Sequence, residues 1–159
     1  MEQRLDYDRI SPAGLKALGG LYTYIAQGGL SPVLVDLVYL RVSQINGCAF
    51  CLDMHTRDLV ERGESVARLA LVQAWREAGT LFDARERAAL AWAESVTRVA
   101  QTGVPDADYQ AAHAAFTERE LVDLTLAIGL MNTYNRMAIS FRKTPRAVAE
   151  AAAASPSGR

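Results

Sequence analysis

Cysteine is nearly absent from this chain, with two among 159 residues, too few for the disulfide framework of a small secreted scaffold. An excess of one charge is also missing. Lys and Arg number 17 against 18 Asp and Glu, a net charge of −1, so no basic face points to nucleic acid or to an anionic membrane surface. No apolar run approaches the roughly 18 residues of a spanning helix. The opening MEQRLDYDRI interleaves charges with single apolar residues where an export signal would carry a continuous apolar stretch. A soluble cytoplasmic protein with neither nucleic-acid nor membrane partners is expected. Strand-like alternation with β-branched enrichment is nowhere sustained, and neither a solenoid-period repeat nor an inter-domain linker divides the chain.

What is present is helical periodicity. Half the residues are hydrophobic, enough for one substantial core that a chain this small often completes by oligomerising. Ser11-Pro12 and Ser31-Pro32 each pair an N-cap with a proline at the first helical position, predicting helices that stop at Gly28-Gly29 and at Gly47. A third helix runs from Cys48 to about Arg62, and a shorter one from about Ser65 to Glu77. Capping boxes at Asp83/Glu86 and Thr117/Glu120 start helices reaching about Gln101 and Phe141. Between them, Val104-Pro105-Asp106 breaks the chain and opens a helix over DYQAAHAAF. The expectation is an all-α single-domain bundle of about six or seven helices over residues 1–147, with a low-complexity tail at 148–159.

Both cysteines and one of the two histidines fall in the stretch INGCAFCLDMH. If Cys48 opens a helix, Cys51 at i+3 and His55 at i+7 share one stripe. A helix N-terminus favours a thiolate, and an imidazole one turn beyond Cys51 can take its proton. Cys51 is nearer the base and Cys48 closer to the helix end; the balance leans slightly to Cys51 as the attacking thiol. A zinc reading meets a geometric obstacle, because Cys48 and His55 are about 10 Å apart along a helix axis while ligands of one zinc lie about 2.0–2.3 Å from it. Two ordinary buried cysteines and a core histidine remain the plain alternative.

Asp36 enters through topology. If the chain reverses at Gly47, Asp36 and His55 lie about 16 and 12 Å from the turn on antiparallel helices, close enough for a carboxylate to orient the imidazole directly or through water. An acid early in a helix is also favoured by the dipole alone.

An acid, eleven residues, then C-x-x-C-x-x-x-H resembles the AhpD-like alkylhydroperoxidases of the carboxymuconolactone decarboxylase family. LRVSQINGCAFCLDMHTRD, ERAALAWAESVT, VPDADY and ELVDLTLAIGLMNTYNRMAISFR carry the resemblance over about residues 10–143. It implies an all-helical, AhpD-like fold assembling into trimers or hexamers. It further implies hydroperoxide reduction through a dithiol/disulfide cycle, restored by a thiol, a dithiol or a reducing protein, with no metal and no organic cofactor. Cys48 and Cys51 would be the redox pair, His55 the base and Asp36 the relay acid. Two positions depart from the pattern: the usual glutamate is the shorter Asp36, and Phe50 stands where some members place a histidine between the cysteines.

The alternatives are a decarboxylase-like enzyme acting on a lactone acid, which would not depend on a C-x-x-C pair, and a non-enzymatic oligomer whose dithiol switches assembly. Elsewhere, His113 reads as structural, and Trp75, Trp92, Phe116 and the apolar stripe of residues 121–139 as core or subunit interface. Asn132, Asn135 and Arg136 interrupt that stripe and need hydrogen-bond partners on another helix, at an interface or in the active-site wall. Tyr22, Tyr24 and Tyr39 fit either the core or an access channel.

Overall fold

The computed structural model describes residues 2–154. Ten α-helical segments and no strand occur among them. In chain order they are α1 (Tyr7–Ile10), α2 (Pro12–Ala26), α3 (Pro32–Asn46), α4 (Ala49–Glu61), α5 (Val66–Ala70), α6 (Ala84–Thr97), α7 (Val99–Thr102), α8 (Asp106–His113), α9 (Glu118–Phe141) and α10 (Arg146–Ala154), with a 3₁₀ turn at Val72–Ala74.

Helix α3 forms the axis. Every residue from Leu34 to Ser43 is buried, because α4, α6 and α9 pack around it, and a helix covered on all sides reads as hydrophobic all round. Its buried polar residues need partners. Arg41 donates from Nε to Glu94 at 2.9 Å, Ser43 accepts from Asn135 at 3.0 Å, and Asp36 accepts from Arg62 at 2.8 Å. One core lies between α3, α4, α6 and α9 and includes both cysteines. A second, built on Leu37, Leu40, Leu59, Trp75, Phe82 and Leu90, fills the other side of α3.

The proline starts and both capping boxes occur as expected. Two predicted helices are shorter than their periodicity suggests. The helix expected over 65–77 stops at Ala70 and passes into the 3₁₀ turn. Arg87 donates to the carbonyls of Trp75, Arg76 and Gly79, satisfying backbone that a longer helix would have used. The helix expected from Asp83 to Gln101 breaks at Arg98 (φ −98°, ψ 31°), where the Thr102 hydroxyl takes the Ser95 carbonyl at 2.8 Å. These breaks, with four-residue α1 and α7, raise the count beyond the six or seven expected. Residues 146–154 of the C-terminal segment form α10, which packs on α4 through Ala147 N–H to Asp53 (3.0 Å) and Arg57 to Glu150 (3.2 Å). Residues 155–159 of the expected tail lie outside the described residues.

Candidate active site

The turn between α3 and α4 sets the site. Gly47 takes φ +70°, ψ 34° as the C-cap of α3, a left-handed conformation that glycine adopts without the steric cost of a Cβ. Cys48 follows as the N-cap of α4, and its sulfur accepts the Cys51 N–H at 3.4 Å. A sulfur thus fills the position usually held by a hydroxyl or carboxylate oxygen. The Cys48 and Cys51 sulfurs are 2.6 Å apart and unbonded, so disulfide closure to about 2.05 Å asks for little motion.

This geometry separates the two thiols electrostatically. The Cys51 thiol donating to it, helped by the Cys51 and Phe50 N–H groups and the Asn135 amide and opposed by burial, holds Cys48 well below the ordinary thiol range, at about 7. Cys51 is pushed up, because its proton is held by the Cys48 sulfur and because burial and the neighbouring negative charge disfavour a second thiolate. Of the two thiols, Cys48 at the helix end is the one favoured as thiolate, chiefly through the Cys51 side chain.

His55 is 1% exposed, and neither ring nitrogen has a hydrogen-bond partner. Its Nδ1 lies 3.8 Å from Asp36 Oδ1 and 3.5 Å from Asp58 Oδ2, with the Tyr39 ring 5.1 Å away. The antiparallel α3–α4 pair thus brings Asp36 to His55, a little beyond direct hydrogen-bond length. Burial raises the Asp36 carboxyl from its usual range, although Arg62 and His55 pull the other way. Asp58 and Arg62 went unremarked in the sequence. Asp58 was within reach, since i+3 from His55 is the same helix face; Arg62 becomes visible only once α3 and α4 are paired.

Asn135 and Asn132 resolve as contacts between helices: Asn46 donates to both, at 2.9 and 3.0 Å, and Asn135 reaches Ser43 beside the thiols. Arg136 bonds within its own helix to Asn132. Tyr22 stacks on Tyr39 (6.3 Å) and lines a 290 Å³ cavity with Cys51 and His55. Tyr24 sits apart, donating to Asp123 at 2.9 Å. His113 stands with Tyr109 and Trp92 in a separate 580 Å³ groove, without the thiols. Among the described residues, the grouping with metal-ligand atoms within 4.8 Å of one another is Asp36, His55 and Asp58; Arg62 already brings a positive charge to it, and the thiols take no part.

The sequence matches the family described as the carboxymuconolactone decarboxylase family over residues 12–95, just over half of the chain. The chain belongs to this family. The uncharacterized protein YdfG of Bacillus subtilis (strain 168) is 37% identical over 140 residues, 88% of this chain and 95% of the relative. A crystal structure of a protein of unknown function from Agrobacterium tumefaciens, whose description links it to the antioxidant defence protein AhpD, superposes with a TM-score of 0.87. It is 40% identical, over 91% of this chain and 98% of the other. An alkylhydroperoxidase AhpD core from Ralstonia eutropha JMP134 shares the fold at 22% identity and TM-score 0.74, over 85% of this chain and 72% of the other. The fold expected from the sequence resemblance, AhpD-like and all-α, is the fold observed, and membership carries a peroxidase-like or decarboxylase-like role.

Proposed function

We propose that the protein is a thiol-dependent hydroperoxide reductase of the AhpD-like branch, with Cys48 and Cys51 as its redox pair and His55, facing Asp36 and Asp58, as proton carrier. The observation that carries this reading is the N-cap sulfur of Cys48, 2.6 Å from a second thiol that itself lies one turn from a buried imidazole whose ring nitrogens make no hydrogen bond. An ordinary pair of core cysteines needs neither the charge difference nor the unpaired base.

The cycle balances with these groups alone. The Cys48 thiolate attacks the hydroperoxide; an S–O bond forms as O–O breaks, and the departing alkoxide takes a proton from protonated His55, leaving Cys48 sulfenic acid and an alcohol. The Cys51 sulfur then attacks the Cys48 sulfur, and its proton passes through His55 to the departing hydroxide, which leaves as water. Two equivalents of thiol return the disulfide to the dithiol. His55 thus serves as acid in one step and base in the next, and the carboxylates beside Nδ1, Asp36 through a bridging water, orient it. A soluble, cytoplasmic homo-oligomer supplied with reductant by small thiols or a reducing protein fits this chemistry, and no helix among the described residues is long and apolar enough to cross a membrane.

Peroxide consumption in the presence of dithiothreitol tests the reading. Cys48→Ser and Cys51→Ser are each expected to bring turnover to background; turnover equal to wild type in either variant would sink it. Turnover of a lactone acid without peroxide activity would instead support the decarboxylase-like role.

A further inference from the structure

Cys48 lines a cavity of its own. It measures 380 Å³ and is bounded by Gly47, Phe50, Ala138, Ile139, Arg142 and Val148 among others. Phe50, Ala138 and Lys143 line both this space and the one beside Cys51 and His55. The charges differ between them. Asp8 and Asp58 line the Cys51 side, whereas no acid lines the Cys48 side.

Most cations near the Cys48 cavity are already matched. Lys143 pairs with Asp8 at 2.6 Å and lies 4.8 Å from the Phe50 ring centre. Arg57 pairs with Asp53 and Glu150, and Arg146 with Glu150. Arg142 is the exception: this half-buried residue has neither an ion pair nor a side-chain hydrogen bond among the described residues.

The backbone of Arg142 makes the choice of residue informative. It sits at φ 56°, ψ 51° as the C-cap of α9, and the next N–H closes the helix end on Ala138 O at 2.9 Å. Glycine closes helices this way without strain, whereas an L side chain pays sterically for left-handed backbone. What arginine adds at this position is a free cation on the wall of the cavity that reaches Cys48. Strained backbone of this kind concentrates at ligand clamps.

We infer that the Cys48 cavity is the docking site of the reductant and that this reductant is an anionic thiol, whose carboxylate pairs with Arg142 while its sulfur attacks Cys48. The inference rests on the dithiol cycle proposed above and names the chemical class of its electron donor. In the step, the incoming thiol gives its proton to His55, the thiolate forms an S–S bond to Cys48 as the Cys48–Cys51 bond breaks, and Cys51 leaves with that proton. A second thiol attacks the mixed disulfide and its proton returns to His55, releasing the small disulfide and the Cys48 thiolate. Peroxide and thiol thus meet the same sulfur in turn. The apolar floor of Ala138, Ile139 and Val148 suits a short alkyl chain between the two ends of the donor.

The test uses full-length protein oxidised with diamide, so that no peroxide chemistry enters. Disulfide reduction is followed by alkylation and intact mass with 3-mercaptopropionate, 2-mercaptoethanol and 2-mercaptoethylamine, each rate corrected to its thiolate concentration. Wild type is expected to react about tenfold faster with the carboxylate thiol than with the neutral one, and slowest with the cationic one, a preference that weakens with salt. Arg142→Gly, which relieves the backbone strain and so keeps the fold, is expected to erase the ranking, and Arg142→Lys to keep part of it. Equal rates for the three thiols in wild type, or an unaltered ranking in Arg142→Gly, would overturn the inference. Loss of peroxide turnover with the ranking intact would count against the proposed function alone.

Discussion

Cys48 is a helix cap, and in the proposed cycle it is also the nucleophile, two roles usually held by different residues. The N–H of Cys51 that would be unpaired at the start of α4 points at its sulfur, and the thiolate accepts that bond better than the thiol, so capping and activation reinforce one another. In the reduced protein, alkylation by iodoacetamide is therefore expected at Cys48, with a rate that rises with pH through a midpoint at about 7. The sign follows from the thiolate being the reactive form. Cys51→Ala removes the largest cause of the lowered value, so its midpoint is expected to move up toward the ordinary thiol range; an unmoved midpoint would show that the helix end alone sets it. His55 gives a second residue-scale prediction. Two carboxylates face its Nδ1, so either can orient it when the other is lost. Asp36→Asn and Asp58→Asn are each expected to slow peroxide turnover about twofold and the double variant about thirtyfold or more, within the range of a general acid–base contribution. Simple multiplication of the two single effects in a kinetic cycle would show that they act independently. The cysteines and His55 were legible because i, i+3 and i+7 on one helix is local geometry. Asp36 required an assumed antiparallel hairpin, which the Gly47 turn supplies. Asn135 was legible only as an oddity, a polar group in an apolar run, and Arg142 was not legible at all, because their surroundings come from distant parts of the chain.

At the scale of elements, the α3–α4 hairpin decides whether the site exists. Its pivot is Gly47, at φ +70° with open space around the position of a Cβ, so the cost of a side chain there is conformational and not steric crowding by neighbours. Gly47→Ala is expected to destabilise the protein by about 1 kcal/mol, read as a lower midpoint with unchanged slope in urea unfolding. The hairpin was readable because serine-proline starts and a glycine stop are local signals that tertiary packing had no reason to override. The segment from Ser65 to Thr80 was not, because its periodicity is helical while its fate depends on Trp75. That indole donates to Glu94 at 2.9 Å and sits in the second core, and Arg87 takes the carbonyls that a continuous helix would have used. The same limit applies to Arg98, where a single hydroxyl, Thr102, competes for the carbonyl of Ser95 and divides α6 from α7.

For the whole molecule, the distribution of apolar surface is uneven in a way that one chain does not explain. Asp36, Cys48, Cys51 and His55 all come from the α3–α4 hairpin of one chain. Yet α9 presents Val122 at 58% and Leu126 at 39% exposure on its outer face, beside the 580 Å³ groove that also takes in Leu18, Leu21 and His113. Covering the exposed part of such side chains is worth about 1 kcal/mol each, and apolar surface of this kind is what association faces present. A second copy of the chain is the occupant consistent with the expectation of a trimer or hexamer. Light scattering coupled to size exclusion is expected to return a multiple of the single-chain mass, and the Val122→Glu/Leu126→Glu double variant to return one chain. Because the groove and the thiols are separate, Cys48 in that variant is expected to keep its alkylation midpoint at about 7. A wild-type protein that elutes as one chain would remove the interface reading. A double variant that loses both assembly and the Cys48 midpoint would mean instead that contact between copies organises the α3–α4 hairpin, and with it the chemistry.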